Sequence, residues 1–259
     1  MNRLRCLVYA VLILTLSSAK QAGAKTAKLV VAADQWCPFF CKAGSDYDGF
    51  SVELLREALK KSGIDVEYVN AAFTRITIQV ETGKWEIHGA TDKTFTPNLL
   101  IGKEAVAKSK WVFVVKKGNR WTYQGPASLT GKVFGGVSGY VYSKELMDYY
   151  TQPQNQRRML SLAGDTAQKQ MLMMLMSGRI DFLVEDESVI RYWAQKIGVE
   201  AGIDIVGVDS ETAFYPGYRI NNKAAAILAE KVDRGLRAVK ENSEIMNRLQ
   251  SKYQIAGAR

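Results

Sequence analysis

Short apolar runs rich in β-branched residues alternate along the chain with stretches of helical periodicity, and this alternation limits the possible folds more than any other feature. Residues 28–33 predict a buried strand, and a helical repeat of apolar residues follows from Ser51 to Gly63. A strand, a helix and two strands are predicted next, at 66–69, 74–82, 87–90 and 111–115. This order is typical of an α/β fold with a mainly parallel sheet and helices on both faces.

The same pattern restarts near residue 120. Strands are predicted at 133–137, 180–184 and 205–208, and helices at 143–150, 165–177 and 186–196. Apolar residues three or four positions apart then predict one long helix between Leu228 and Tyr253. Because the unit occurs twice in 259 residues, two α/β lobes fit the chain better than one continuous sheet.

The N-terminus has the features of an export signal. Arg3 and Arg5 precede an apolar run at 6–16, and residues 22–24 (AGA) have the small-x-small form of a cleavage site. The apolar run is roughly half of the ~20 residues that a membrane-spanning helix needs. We therefore expect residues 1–24 to be a signal peptide cleaved after Ala24, with an uncleaved anchor as the alternative, and the mature chain to reside in the periplasm.

The chain is basic, with 35 Lys and Arg residues against 26 Asp and Glu residues and a net charge of +9. Residues 1–24 hold three basic residues and no acidic one, so the remainder carries +6. No lysine or arginine run and no stripe of basic and aromatic residues marks a nucleic-acid-binding face. Nucleic acid is therefore not an expected partner.

Two cysteines, Cys37 and Cys41, remain after export, in the segment WCPFFC. In an oxidising compartment an isolated close pair favours a disulfide, and the short loop between the two is the geometric objection. Zinc would need two more ligands, and the single histidine, His88, falls in a predicted strand, where we expect a packed residue. Four methionines within 171–176 do not keep to one helical face, which favours core packing. We expect neither a metal ion nor a cofactor.

Polar residues follow four of the predicted strands, at 34–36, 91–94, 138–140 and 185–186. In open parallel sheets, ligands bind beyond the carboxyl ends of the strands. If the two lobes face each other, these four loops line one cleft, and the sequence predicts a ligand site there.

Several segments, taken in order, resemble one family. They are Asp34 after the first strand, DGFSVELL at 48–55, TFTP at 94–97, LTGKV at 129–133 with VSG at 137–139, and SGRID at 177–181 ahead of Asp186. Together they are similar to the family-3 periplasmic solute-binding proteins, which deliver polar solutes, often amino acids, to ABC transporters. The similarity covers most of residues 28–253, and WCPFFC resembles a cysteine-bearing subgroup of unknown ligand.

The resemblance implies a two-lobed periplasmic-binding-protein-like fold (type II) in which a two-strand hinge closes the lobes over a solute. The crossovers would fall near 115–118 and 213–220. The expected organisation is a signal peptide at 1–24, the first part of lobe 1 at 25–116, lobe 2 at 117–212, and the return crossover with the rest of lobe 1 at 213–259.

The resemblance and the strand ends together predict a set of ligand-binding residues. These are Asp34, Trp36, Phe73, Arg75, Thr91, Asp92, Thr94, Ser138, Gly139, Tyr140 and Asp186.

One departure from the family concerns the ligand. The family's amino-acid binders carry an arginine just after the Thr-x-Thr motif that clamps the α-carboxylate of the ligand, and that position falls on Leu99 here. Leaving a buried carboxylate unpaired costs roughly 2–5 kcal/mol. The acidic partner for an ammonium group is retained at Asp186. We therefore expect a cationic or amine-bearing solute.

Each of these residues also has a structural interpretation. Arg75 is either a replacement clamp or an exposed helix charge. Asp186 contacts ligand, caps the helix that begins there, or does both. Trp36 and Phe73 are ligand walls or core residues. The segment 138–139 either presents backbone N–H groups to an anion or forms a turn.

Three functions stay open at this point. The leading hypothesis is a monomeric binding protein that captures a small polar solute for an ABC permease. A sensing protein with a membrane signalling partner is the second. A dehydratase or lyase that uses Glu185 and Asp186 as acid and base is the third, although adjacent strand residues point to opposite faces.

Overall fold

The computed structural model describes residues 27–255. The predicted signal peptide at 1–24 and the last residues of the chain, 256–259, lie outside the described residues.

Strands and helices alternate in the first half and again in the second. The strands are β1 (Ala27–Ala33), β2 (Ile64–Asn70), β3 (Ile87–Thr91), β4 (Leu99–Ile101), β5 (Ala107–Lys116), β6 (Phe134–Val137), β7 (Met159–Leu162), β8 (Phe182–Asp186) and β9 (Ile203–Arg219). The helices are α1 (Phe50–Lys60), α2 (Phe73–Glu81), α3 (Lys144–Tyr150), α4 (Ala167–Met176), α5 (Glu187–Lys196), α6 (Lys223–Lys240) and α7 (Ser243–Tyr253).

The strands form one curled sheet in the order β2-β1-β3-β9-β5-β8-β6-β7, with β4 also paired to β9. β1 is parallel to β2 and β3, and β6 is parallel to β7 and β8, so each half contains three parallel strands. β5 and β9 run antiparallel to their neighbours. The α/β expectation is confirmed, but the whole sheet is mixed because the chain passes between the halves in extended strands.

Two differences from the sequence prediction have local causes. The strand predicted at 205–208 and the crossover at 213–220 are one continuous strand, β9, because it pairs along β5 and then along β3 and β4. The single long C-terminal helix is two helices, α6 and α7. The break falls where the Asn242 side chain accepts a hydrogen bond from the backbone N–H of Ile245 and starts a new helix.

In the first half, α1 and α6 pack on the sheet and α7 packs on both of these helices, and their apolar faces belong to the largest apolar cluster, which continues into the second half. Gly235 of α6 permits close contact with α1, since a Cβ there would lie 2.1 Å from the Ala58 carbonyl oxygen. In the second half, α4 and α5 cover β5, β6 and β8 through residues such as Leu172 and Ile190. The carboxyl ends of β1, β3, β6 and β8 carry the loops that the sequence predicted as a ligand site.

β5 and β9 connect the two halves. β5 pairs with β8 over Trp111–Val115, and β9 pairs with β3 and β4 over its last residues, from Tyr215 to Arg219. The predicted boundaries at 25–116, 117–212 and 213–259 stay predictions. Because Trp111–Val115 lies beside β8, we propose that the first crossover is the preceding segment of β5, 107–110, rather than 115–118.

Candidate functional site

A small cavity of about 20 Å³ lies between the two halves. Its wall is formed by Asp34, Trp36, Phe73, Ala90, Phe95, Trp111, Tyr140 and Phe214. The first half, both connecting strands and the second half all contribute, since Trp111 is on β5, Phe214 is on β9 and Tyr140 follows β6. Opening the halves would therefore open the cavity.

Six aromatic side chains of this wall form a closed cycle, which we call the aromatic ring set. Successive ring centroids are 5.3–6.5 Å apart, in the order Trp36, Trp111, Tyr140, Phe73, Phe95 and Phe214, and back to Trp36. These distances lie within the range of favourable aromatic pairs. The set combines a largely apolar wall with the electron-rich faces of several rings.

The cysteine segment positions Trp36. Cys37 and Cys41 form a disulfide, which confirms the sequence prediction, and Trp36 pairs with Phe40 across the loop. The carbonyl oxygens of Pro38 and Phe39 accept hydrogen bonds from the first N–H groups of α1. Gly49 allows this close approach, since a Cβ there would lie 2.3 Å from the carbonyl oxygen of Phe39. These hydrogen bonds fix the position of the cysteine loop relative to the start of α1.

Two hydrogen bonds bridge the halves at the cavity. The Tyr140 hydroxyl donates to Asp34 Oδ2 at 2.6 Å, and Trp36 Nε1 donates to Glu185 Oε1 at 3.0 Å. Gln168 Nε2 lies 3.1 Å from the Tyr140 hydroxyl and extends the contact into α4. Each bridge joins an aromatic residue of the cavity wall to an acid on the opposite half, so both bridges must break when the halves part.

Both acids of these bridges have raised pKa values. Burial raises the pKa of Asp34 above its ordinary value, although the hydrogen bond from Tyr140 lowers it. Burial raises the pKa of Glu185 to about 8, against the lowering effect of the hydrogen bonds from Trp36 and the Asp186 backbone. The negative charges of Asp186 and Asp34 raise it further. A cation in the cavity would reverse these shifts, because it favours the ionised acids.

Asp186 occupies a different environment. Its Oδ1 accepts hydrogen bonds from the N–H groups of Ser188 and Val189, which caps α5. Its Oδ2 accepts from Ser109 Oγ at 2.7 Å and from the Lys110 N–H at 3.1 Å. Asp186 lines a separate open groove of about 880 Å³ and not the small cavity. The helix-cap interpretation is observed, and contact with a solute stays a prediction.

The predicted ligand-binding residues after β3 make hydrogen bonds within their own loop. Asp92 Oδ1 accepts hydrogen bonds from the N–H groups of Thr94 and Phe95, at 2.7 and 3.0 Å. Thr91 is buried, and its hydroxyl is 2.9 Å from that of Thr96. The side chain of Thr94 is exposed. This loop brings Phe95 to the cavity and leaves Thr91, Asp92 and Thr94 outside its wall.

The groups predicted to bind an anion, the backbone N–H groups at 138–140 and the Arg75 side chain, make other contacts or lie outside the cavity wall. The N–H of Ser138 donates to the Leu162 carbonyl and that of Tyr140 to the Val137 carbonyl, and Gly139 has the positive φ of a turn. Arg75 is exposed on α2 and does not line the cavity. Leu99 is buried in the cluster under α2.

Phe95, Trp111, Phe214 and Glu185 were not in the predicted set of ligand-binding residues, although 185–186 was among the loops expected to line the cleft. Phe95 is the middle residue of the TFT motif, and Phe214 lies within the predicted crossover. Both could therefore have been predicted near the ligand site from the sequence. Trp111 begins an apolar strand and reads as core. Glu185 and Asp186 point to opposite sides of β8, as expected for neighbours in a strand.

His88 is packed, as expected. It is fully buried behind Phe73 at a ring distance of 4.8 Å, and burial lowers its pKa to about 3. Within residues 27–255 no cluster of His, Cys, Asp and Glu suits a metal ion. In the same part of the chain, none of the helices has the length and apolarity to cross a bilayer.

The family model for bacterial extracellular solute-binding proteins, family 3, matches residues 29–255. The chain belongs to this family. No curated protein sequence matches this solute-binding protein at a significant level.

Solved structures share the two-lobed fold of this solute-binding protein. An ancestral arginine-binding protein bound to glutamine matches with a TM-score of 0.71 and 21% identity, over 88% of this chain and 97% of that one. An ABC uptake transporter substrate-binding protein from Streptococcus pneumoniae with bound histidine gives 0.72 and 18%, over 89% and 93%. A histidine kinase sensor domain with similarity to periplasmic binding proteins gives 0.70 and 14%, over 87% and 95%.

Proposed function

We propose that this exported, monomeric binding protein captures a small polar, amine-bearing solute between its two halves, and that an ABC permease recognises the closed form. The observation that carries the proposal is the cavity bridged by Tyr140–Asp34 and Trp36–Glu185, to which both halves contribute. An acid on each half and a wall of rings suit a solute with a positive group and an organic body.

Capture requires the halves to move. A cavity of about 20 Å³ has room for about one water molecule, so a solute enters only after both bridges break. The connecting segments of β5 and β9 are the places where the chain can bend. The solute shifts the population toward the closed form only as far as it binds that form more tightly than the open one.

The similar structures support this class of function. One is an arginine-binding protein bound to glutamine, and another holds bound histidine. A sensing role uses the same capture step with a membrane signalling partner, and the sensor-domain structure favours it as the second candidate. For the enzyme alternative, Glu185 and Asp186 would have to act on one substrate, and their placement on opposite sides of β8 argues against it.

Thermal-shift screening of the purified mature chain against amino acids, polyamines, quaternary ammonium compounds and small organic acids tests the proposal. A bound solute at 100 times its Kd adds about 2.7 kcal/mol to the free energy of unfolding. Small-angle scattering on the same samples should show compaction when the solute is added. Asp34→Asn should weaken binding, whereas the exposed Asp46→Asn is the matched control.

A chain that responds to none of these solutes and keeps one scattering profile would refute solute capture. Turnover of a prephenate-like substrate, measured by product analysis, would favour the enzyme instead. Co-purification with permease subunits in membrane extracts would support transport, and co-purification with a membrane kinase would support sensing.

A further inference from the structure

The cavity wall carries acid and aromatic groups but no basic side chain. Of the eight residues that line it, within the part of the chain the structure describes, six are aromatic, one is Asp34 and one is Ala90. Arg75 is exposed outside the wall, and the position of the family's arginine is the buried Leu99. A solute carboxylate would therefore meet Asp34 without a counter-charge, which is unfavourable in a site with little water.

Four backbone donors near the cavity are engaged as well. The N–H groups of Ser138 and Tyr140 donate to the carbonyls of Leu162 and Val137, at 2.7 and 3.2 Å. Those of Thr94 and Phe95 donate to Asp92. An anion held by these groups would have to displace internal hydrogen bonds. Four N–H groups that could bind an α-carboxylate are thus already satisfied.

The acids, in contrast, receive donors from the protein itself in this structure. Tyr140 donates to Asp34, and Trp36 and the Asp186 backbone donate to Glu185. The solute therefore needs to bring positive charge but no N–H groups of its own. Cations with methyl groups in place of N–H suit the faces of the aromatic ring set, because ring quadrupoles attract a cation.

We infer that the solute is a compact organic cation with a methylated ammonium group and no carboxylate, held among the rings of the aromatic ring set beside Asp34 once the halves have moved apart and widened the cavity of about 20 Å³. This inference rests on the proposed function, since it names the solute class of the same cavity. Glu185 acts through Trp36: its hydrogen bond to the indole N–H polarises the ring and strengthens the attraction of the ring face for a cation.

Calorimetric titration of the mature chain tests the solute class. The probes are choline, tetramethylammonium, the neutral choline isostere 3,3-dimethyl-1-butanol, glycine betaine, putrescine, arginine and histidine. Choline should bind at least about tenfold more tightly than its neutral isostere, because only the charge differs. Glycine betaine, which adds a carboxylate, and both amino acids should also bind more weakly than choline.

Two variants separate the ring contribution from stability. Phe73→Leu keeps an apolar side chain but removes a ring face, and should lower the choline affinity about fivefold. Tyr123→Leu removes a half-buried ring that stacks on Phe113 away from the cavity and is the matched control, with unchanged affinity.

Each outcome decides one point. If arginine, histidine or putrescine binds more tightly than choline, the solute class is wrong and the proposed capture function stands. Equal binding of choline and its neutral isostere would overturn recognition of the charge. If the wider panel of amino acids, polyamines, quaternary ammonium compounds and organic acids gives no binding at all, the capture function itself fails.

Discussion

Neighbouring acids on the two sides of β8 differ in their hydrogen-bond partners and in their pKa values. On the cavity side, Glu185 accepts hydrogen bonds from Trp36 and from the Asp186 backbone, and burial raises its pKa to about 8. On the groove side, Asp186 accepts four hydrogen bonds, and burial raises its pKa only to about 6. One residue further, Glu187 contacts Arg191 and Lys110, which lower its pKa.

This difference shows which of the neighbouring acids has no basic partner in the protein. The protein satisfies Asp186 and Glu187 with helix N–H groups and basic side chains, whereas Glu185, which accepts from Trp36 and the Asp186 backbone, is paired with no basic side chain. Volume alone would favour the groove as the ligand site, since it has about 880 Å³ and the cavity about 20 Å³. The buried acid without a basic partner therefore identifies the candidate site better than the volume does.

The largest expected effect is the pH dependence caused by Glu185. Its folded pKa of about 8 exceeds its ordinary value of 4.5, so the folded state holds an extra proton between these values. Stability is then full below about pH 4.5 and falls as pH rises toward 8, by up to about 5 kcal/mol. Urea unfolding of the wild type and Glu185→Gln across this range should show a decline that the variant lacks.

Asp186→Asn is the control for this assignment. Its pKa rises from 3.8 only to about 6, so this variant should change the pH profile below about pH 6 and leave the decline from 6 to 8 intact. Parallel profiles for the wild type and Glu185→Gln would contradict the raised pKa and remove the contrast between the two sides of β8.

Asp186→Ala should have the next largest effect, on folding. The change removes a helix cap and leaves Ser109, Lys110 and two α5 N–H groups without their acceptor. We expect a loss of about 3 kcal/mol in the free energy of unfolding, measured by urea denaturation. Glu187→Ala, which removes only partly exposed ion pairs, should cost under about 1 kcal/mol. Equal costs would mean that the groove side does not depend on Asp186.

Much of the fold could be predicted from the sequence, because periodicity reports buried faces directly. Helices α1 to α5 lie within a few residues of their predicted ranges. The short strands β4 and β7 were missed, since three or four residues carry too little pattern. The division of the last helix was missed because Asn242 acts through a side-chain cap and not through hydrophobic spacing.

The candidate site was predicted only in part. Asp34, Trp36, Phe73 and Tyr140 line the cavity, since loops after parallel strands and the family resemblance both pointed to them. Asp186 was preferred to Glu185 because its position matches the family's acidic partner for an ammonium group, and its contact with a solute stays a prediction. Trp111 and Phe214 reach the cavity only through the antiparallel pairing of β5 and β9, which no local pattern encodes.

A test of the cavity side alone is to remove the disulfide with Cys37→Ser and Cys41→Ser together. Closing a loop of this length stabilises by about 2 kcal/mol in the chain-entropy model. Because Trp36 precedes the disulfide and pairs across the loop, solute affinity should fall as well. Urea unfolding and calorimetry on one preparation measure both. A loss of stability without a loss of affinity would show that the loop does not position Trp36.

The smallest expected effect compares one hydrogen bond on each side of β8. Tyr140→Phe keeps the ring but leaves Asp34 Oδ2 without its donor, and should cost about 1 kcal/mol and shift scattering toward the open form. Ser109→Ala removes one of four donors to Asp186, so it should leave scattering unchanged because this bond does not cross the cavity. If Ser109→Ala opens the molecule as much as Tyr140→Phe does, closure depends on the groove, and the cavity bridges are incidental.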